Sequence, residues 1–286
     1  MIDWQKVWVA GTRGVYVSAD GVDWQAIGGN EFKVNAVLRQ KDRLVAGCEW
    51  GLWEVRRGVE RWVQLHDETL TEVQDVAAVA GDPGALAASA YGVAVGARDE
   101  QGFVRWTSLS DELQVDQRFS NALLVDPGDE GRWLVGTEAG VLVAANRGAK
   151  WETTELAGCP VRALMHALGV FWAGTDDRGL WRSADGMAWT RVGGQVENAI
   201  FALAESGGRI LAGSLEGVLV GGLDGAWHPV GPRMLVSALA AHPRREDLWL
   251  AGASPGGLWR TEDAGASWGQ VASFTGVGAL LAPKGD

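Results

Sequence analysis

The sequence predicts an all-β protein, a single seven-bladed β-propeller of four-stranded blades. Three observations predict it. One phrase recurs seven times: an apolar run, Ala-Gly or Val-Gly, a short loop, Gly, a second apolar run, then Trp. Seven copies in 286 residues give about 41 residues per unit, the length of a propeller blade. The two residue types in excess, 41 glycines and 16 tryptophans against 6 Phe and 2 Tyr, fall mostly on that phrase.

The copies span 7–24, 44–62, 86–106, 133–151, 171–189, 210–227 and 248–268, and close on Trp24, Trp62, Trp106, Trp151, Trp189, Trp227 and Trp268. Each unit reads as four strands, lettered A to D from the axis outward. Strand A is an apolar stretch with a recurrent Ala, as at 34–38, 120–124, 161–165, 200–203 and 236–239. Strand B runs into the first Gly, strand C follows the second, and strand D carries the closing Trp. Short apolar runs between Gly, Asp, Asn and Pro turns are strand signatures. No helical stripe lasts beyond two turns, so no helix of consequence is expected.

The two ends complement each other. The first unit begins at strand B, and the chain finishes at 277–281 with a strand A pattern and no strand B after it. The last segment is therefore expected to supply the inner strand of the first blade. Residues 1–286 then form one domain, with blade 1 made of 1–27 plus 275–286. Closure of this kind removes the free edges of an open array.

The remaining elements follow from residue type. The first Gly of the phrase (Gly11, Gly47, Gly136, Gly174, Gly213, Gly252) and the second (Gly14, Gly51, Gly92, Gly140, Gly179, Gly217, Gly257) suit positive φ or close backbone approach. Ala88 replaces the first Gly in the third unit. Trp8, Trp133 and Trp249 lie three residues before the first Gly, with Trp172 one place off. Trp53, Trp181 and Trp259 lie two after the second Gly, where the first unit has Tyr16. Such repetition assigns these rings to packing between blades. Trp4 and Trp50 fall outside it.

The C-to-D turns carry a motif. Thr261-Glu-Asp263-Ala-Gly265-Ala-Ser-Trp268 fits Ser/Thr-x-Asp-x-Gly-x-x-Trp, 18–24 and 183–189 fit its one-shorter form, and 223–227 is a worn copy. The sequence thereby resembles the BNR/Asp-box propellers: sialidases, sortilin-type receptors, xyloglucanase-type glycosidases and, nearest in style, the photosystem II stability/assembly factor group. The resemblance implies a scaffold and not a chemistry. It makes Asp20, Asp185 and Asp263 turn-forming residues on the face opposite the usual ligand site.

Composition bounds the function. A net charge of −11 with interspersed signs argues against a nucleic-acid partner. No apolar run is long enough to span a membrane. The N-terminus lacks the pattern of a signal peptide, so a cytoplasmic protein is expected, monomeric by default. Cys48 and Cys159 read as buried thiols. His66, His166, His228 and His242 have no metal-binding spacing, and His228 and His242 read as solvated turn residues. No metal and no cofactor are expected.

The enzyme readings find little support in the residues. A sialidase needs an arginine cluster and a Tyr–Glu pair. Tyr91, Arg162 and Arg233 offer only a remnant, and the Phe/Tyr-Arg-Ile-Pro tetrapeptide is missing. Glycoside hydrolysis needs two carboxyl groups about 5–9.5 Å apart. Glu138, Asp176, Asp177 and Glu216 qualify only by lying in loops on one face. Xyloglucanase-type enzymes use two such propellers, and sortilin-type receptors add a cysteine-rich module. The reading leans against an enzyme.

The B-to-C and D-to-A loops share one face around the central channel. The B-to-C loops carry Glu49, Glu138, Asp176, Asp177 and Glu216 against Arg13 and Arg178, and expose Trp50 and Tyr91. Arg162 holds a strand A position occupied elsewhere by Asn35, Asn121, Phe201, Ser237 and Gly278, and is expected to reach the channel. The candidate site is Trp50, Tyr91, Glu138, Arg162, Asp176, Asp177, Arg178, Glu216 and Arg233. The expected function is a non-catalytic binding or assembly propeller recognising a protein segment or a small polar or glycan ligand, cationic or hydroxyl-rich partners being favoured. The alternative is a glycoside hydrolase-like enzyme with a non-standard site on the same face. Facing carboxylates in a deep pocket favour the enzyme; a plugged channel and a flat acidic rim favour the binder.

Overall fold

The computed structural model describes residues 2–29, 31–59, 61–194 and 196–285. Seven four-stranded antiparallel sheets follow one another around a central channel. Helix is confined, among the described residues, to a 3-10 turn at Trp4–Lys6 and one α-helical turn at Val115–Arg118. The first sheet is assembled from both ends, in the order Ala279–Leu281, Trp8–Thr12, Gly14–Ser18, Gln25–Ile27. Gly11 pairs with Ala279 and Val9 with Leu281, so the C-terminal segment is the inner strand of blade 1. Met1 and Asp286, the outer limits expected for that blade, lie outside the described residues.

A buried arginine clasps the closure. Arg39, in the inner strand of blade 2, donates from Nη1 to Ala282 O at 2.5 Å and from Nη2 to Val7 O at 2.7 Å. Burial lowers its pKa to about 10. One side chain thus holds the two joined ends of the chain together.

The core is divided into seven clusters, one between each pair of adjacent blades. Trp8, Trp133 and Trp249 each face the preceding blade and are almost fully buried. Trp172 is displaced by one residue, and successive strand residues point to opposite faces of a sheet. It accordingly packs into the cluster with blade 6, 6.3 Å from Trp227, while Phe171 takes the place facing blade 4. Trp4 fills the cluster between blades 1 and 2, where strand B of blade 2 has Leu44 in place of the tryptophan. An apparent irregularity in the repeat is therefore a packing solution.

The glycines divide into two kinds. All seven second glycines have positive φ, from 72° at Gly179 to 129° at Gly92. The first glycines do not; their constraint is space. Opposite them stand Ala36, Ala122, Ala163, Ala202, Ala238 and Ala279 on the inner strands. In blade 3 the pair is Asp75 with Ala88.

The three complete Ser/Thr-x-Asp turns are built alike. Asp20 Oδ1 accepts from Ser18 Oγ and from the amides of Val22 and Asp23. Asp185 repeats the pattern with Ser183, Met187 and Ala188. Asp263 takes Thr261 Oγ1 at 2.7 Å, Ser267 N at 2.8 Å and Ser267 Oγ. These bonds hold all three carboxyls below their ordinary pKa, Asp263 at about 2.

Candidate functional site

The site is made by a slip in the innermost ladder. In six blades the pairing of strands A and B skips one residue near the loop face: Asn35, Gln74, Asn121, Arg162, Phe201 or Ser237. A bulged residue leaves the ladder and its side chain is re-aimed. Together with Gly278 of blade 1, these residues ring a bowl of about 550 Å³ at the mouth of the channel. Thr12, Arg13, Lys33, Glu49, Ser254 and Thr275 form its rim. Below it the inner strands line a narrower cavity of about 240 Å³, walled mainly by Ala and Leu.

The expected residues separate into groups. Arg162, Glu138 and Asp176 come together. Arg162 Nε donates to Asp176 Oδ1 at 2.7 Å, its Nη2 also meets that carboxylate, and Nη1 donates to Glu138 Oε1 at 2.7 Å. Glu138 Oε1 also accepts from Asn121 Nδ2 at 3.1 Å. The Asp176 hydrogen bonds raise the Arg162 pKa against partial burial, with Glu138 adding to the effect. The bidentate contact fixes the guanidinium plane as well as its charge.

Trp50 sits beside the bowl, 68% exposed, with its indole N–H on Glu49 Oε1 at 3.2 Å. Tyr91 is 65% exposed but lines a separate depression on blade 3. Asp177, Glu216 and Arg233 are exposed, and no side-chain hydrogen bond or ion pair engages them among the described residues. Arg178 is a brace: its guanidinium donates to Gly158 O at 2.9 Å and Ala157 O at 3.3 Å, tying two blades. Tyr91, Arg162 and Arg233 therefore form no common constellation.

Gln74 and Lys33 were not singled out from sequence, and Arg13 and three tryptophans have larger parts than it gave them. Gln74 belongs to the ring but sits in the most diverged blade, before Asp75 rather than the usual Ala. Arg13 and Lys33 are exposed neighbours on the rim, joined by a β-bridge, and neither side chain has a partner among the described residues. Trp53, Trp181 and Trp259 do more than pack. Each donates its indole N–H to the carbonyl three residues back, Trp50, Arg178 and Gly256, and so fixes a B-to-C loop.

The electrostatics differ from the loop count. Glu138 and Asp176 are neutralised by Arg162, and Glu49 receives the Trp50 indole and the Lys33 amide. With Arg13 and Lys33 on the rim, the bowl is polar and close to neutral. Neither limiting picture holds: the mouth is concave, the channel is open below it, and the two carboxylates are bound to one guanidinium.

Other chemistry is sparse. Cys48 and Cys159 are buried free thiols, and burial pushes Cys48 up to about 11, which keeps it from being a thiolate nucleophile. No cluster of three or more metal-ligating side chains exists among the described residues. His242 is not simply solvated: its ring lies tilted 5.9 Å from that of Trp8, and its Nδ1 accepts from the amides of Arg244 and Arg245. Burial lowers its pKa, aided by Arg245 and Arg244.

No family model matches the chain, so the likeness of its turns to Asp-box propellers stays with the turns, and no curated protein matches its sequence. Solved structures do resemble it. The extracellular domain of a putative one-component system from B. thetaiotaomicron has a TM-score of 0.68 at 14% identity, covering 94% of this chain and 44% of that one. The extracellular domain of a putative hybrid two-component system from the same organism gives 0.70 at 16%, covering 91% and 39%. An ancestral GH74 enzyme gives 0.65 at 15%, covering 92% and 40%. The chain thus spans less than half the length of each. The expected cytoplasmic location is overturned by these neighbours, two of which are extracellular domains. Its sole basis was the look of the first residues, which carries no weight against them. No helix among the described residues is long and apolar enough to cross a membrane. At these identities the likeness shows the fold: a seven-bladed β-propeller.

Proposed function

We propose that the protein is a non-catalytic binding propeller that takes a small polar molecule, or a polar segment of a protein, in the bowl at the channel mouth. The observation that carries this reading is the convergence of the bulged positions. Asn35, Gln74, Asn121, Arg162 and Ser237 bring hydrogen-bonding groups to one cavity large enough for a sugar or a short peptide. The preference for cationic partners is dropped, because the acids nearest the bowl are already engaged. A hydrolase would need one carboxyl free to protonate a leaving group and a second free to attack or activate water. Glu138 and Asp176 are instead both ion-paired to Arg162.

The test is a glycan and short-peptide array read with wild type, Asn121→Ala and the double variant Asn35→Ala/Gln74→Ala. Binding that weakens at least tenfold in these variants, with the bound oligosaccharide recovered intact, supports the reading. Binding indifferent to them, or cleavage of the oligosaccharide, overturns it.

A further inference from the structure

We propose a second recognition site on the same face: a groove on blade 3 that docks a basic segment of a partner protein through one apolar side chain. The groove, about 450 Å³, shares no residue with the bowl. Its floor is Leu70, Val93 and Ala94, all almost fully buried, and its walls are Tyr91 and Val115, 65% and 85% exposed. A floor closed to water beneath two exposed apolar walls is the shape that receives an anchor side chain.

The surroundings specify the charge of the occupant. The connections that flank the groove, 66–72 and 110–118, carry Asp67, Glu68, Glu72, Asp111, Glu112 and Asp116, and one arginine. That arginine offsets only one of them, and its guanidinium is turned to the backbone. Arg118 Nε donates to Leu113 O at 2.8 Å and its Nη2 to Asp111 O, so it shapes the helical turn from within. Asp67 is occupied by the amides of Trp106 and Thr69. Glu68, Glu72 and Glu112 are exposed and without side-chain partners among the described residues. An apolar slot set between two connections in which acids outnumber arginine six to one attracts Lys and Arg to its surroundings while the anchor fills the slot. Three independent segments build it: the B-to-C loop 89–92, the incoming connection, and the outgoing turn at Val115–Arg118.

The test uses an array of short peptides with Lys and Arg around a central Leu, Phe or Trp, beside versions with Glu for every base and Ser for the anchor. Wild type is expected to bind the basic anchored peptides and neither control, with affinity falling as salt rises. Tyr91→Ala and the double variant Glu68→Lys/Glu112→Lys should each weaken binding at least tenfold. Both sites are exposed, so an unchanged melting temperature in each variant separates lost docking from lost folding. Asn121→Ala, in the bowl, should leave the Tyr91-dependent binding of the basic anchored peptides unchanged. Absence of binding, equal binding of the charge-reversed peptides, or indifference to Tyr91→Ala overturns the proposal. So does concentration-dependent dimerisation abolished by Tyr91→Ala, which would make the occupant a second copy of this chain.

Discussion

Gly11 of blade 1 faces Val34 of blade 2 so closely that a Cβ on the glycine would lie 2.6 Å from Val34 Cγ1. The same relationship joins Gly47 to Val73, Gly136 to Val161, Gly174 to Ile200, Gly213 to Val236 and Gly252 to Val277. Each is the first glycine of one blade against a β-branched residue at the start of the next inner strand, or, for Val277, two residues before it. The seventh interface has Ala88 in the glycine position and Ser120 in the facing one, both fully buried. Where one partner gains a methyl, the other loses bulk. The blades are spaced by a pair of residues of fixed combined size.

Gly11→Ala should therefore destabilise the protein by about 1–3 kcal/mol, because valine is stiff at χ1 and cannot swing aside. Val34→Ala alone should also destabilise, through the lost methyls. The double variant approximates the natural Ala88–Ser120 pair, so it should be less unstable than the sum, with a coupling on the order of 1 kcal/mol. Urea unfolding of the four proteins measures this. Additive effects would mean that the ring absorbs the methyl elsewhere.

Much of this was legible because it repeats. Seven blades, closure by 277–281 and the roles of most tryptophans follow from residues that recur in register. The bulges were half legible. Asn35, Asn121, Arg162, Phe201, Ser237 and Gly278 align as a column, but nothing local says that the column leaves the ladder. Gln74 escaped because blade 3 replaces the marker Ala with Asp75. What the sequence could not reveal was pairing between blades. Loop acids counted as a pool gave an acidic face, whereas the fold assigns Glu138 and Asp176 to Arg162. Trp50 and Tyr91 share a face in the sequence reading, yet one stands beside the bowl on Glu49 and the other lines the blade 3 groove. Substituting both at once would blur two sites, so each belongs in its own variant.

Asp263 gives an acid-side prediction. Hydrogen bonds from the Ser267 hydroxyl and amide, then from Thr261, draw its carboxyl from 3.8 down to about 2. A depressed folded pKa means that the unfolded chain binds the proton more readily. Its stabilisation is therefore fully present above about pH 4 and disappears as the pH falls towards 2. Asp20 and Asp185 shift in the same direction. Asp263→Asn should lower the melting temperature at pH 7, and the gap to wild type should close by pH 2. A gap constant with pH would show that the turn is held by shape rather than by charge.

Asp75 acts in the opposite sense. It stands where the other six inner strands have Ala, and its carboxylate accepts from Leu123 N of the next blade at 2.7 Å and from Val76 N at 2.8 Å. Burial nevertheless pushes its pKa up to about 6, the amide bonds offsetting only part of that effect. The folded state then holds the proton more tightly than the unfolded chain, so stability falls as the pH rises from about 4 through 6. The difference is on the order of 3 kcal/mol across that window. Asp75→Asn keeps an acceptor for Leu123 and removes the titration. Its stability should lose the fall that wild type shows between pH 4 and 7, overtaking wild type near neutrality. A wild-type slope that survives the substitution would place the titrating group elsewhere.

The closing tryptophans supply a matched comparison. Trp62 and Trp227 hold the same place in the repeat and are equally buried, 4% and 7% exposed. Trp62 Nε1 donates to Ile27 O of the preceding blade at 2.8 Å. Trp106, Trp151 and Trp268 make the corresponding bond to Leu65, Leu109 and Val230. Trp227 Nε1 is buried with no partner among the described residues. Replacement by Phe removes similar volume at both sites, but at Trp62 it also removes the hydrogen bond to the Ile27 carbonyl. At Trp227 it removes a donor that was itself unsatisfied. Losing one hydrogen bond of this kind costs about 0.5–1.5 kcal/mol. Trp62→Phe should therefore destabilise more than Trp227→Phe by about that amount in chemical denaturation. Equal losses would mean that these indoles act by volume alone, and that the hydrogen bond between blades adds nothing to the closure of the ring.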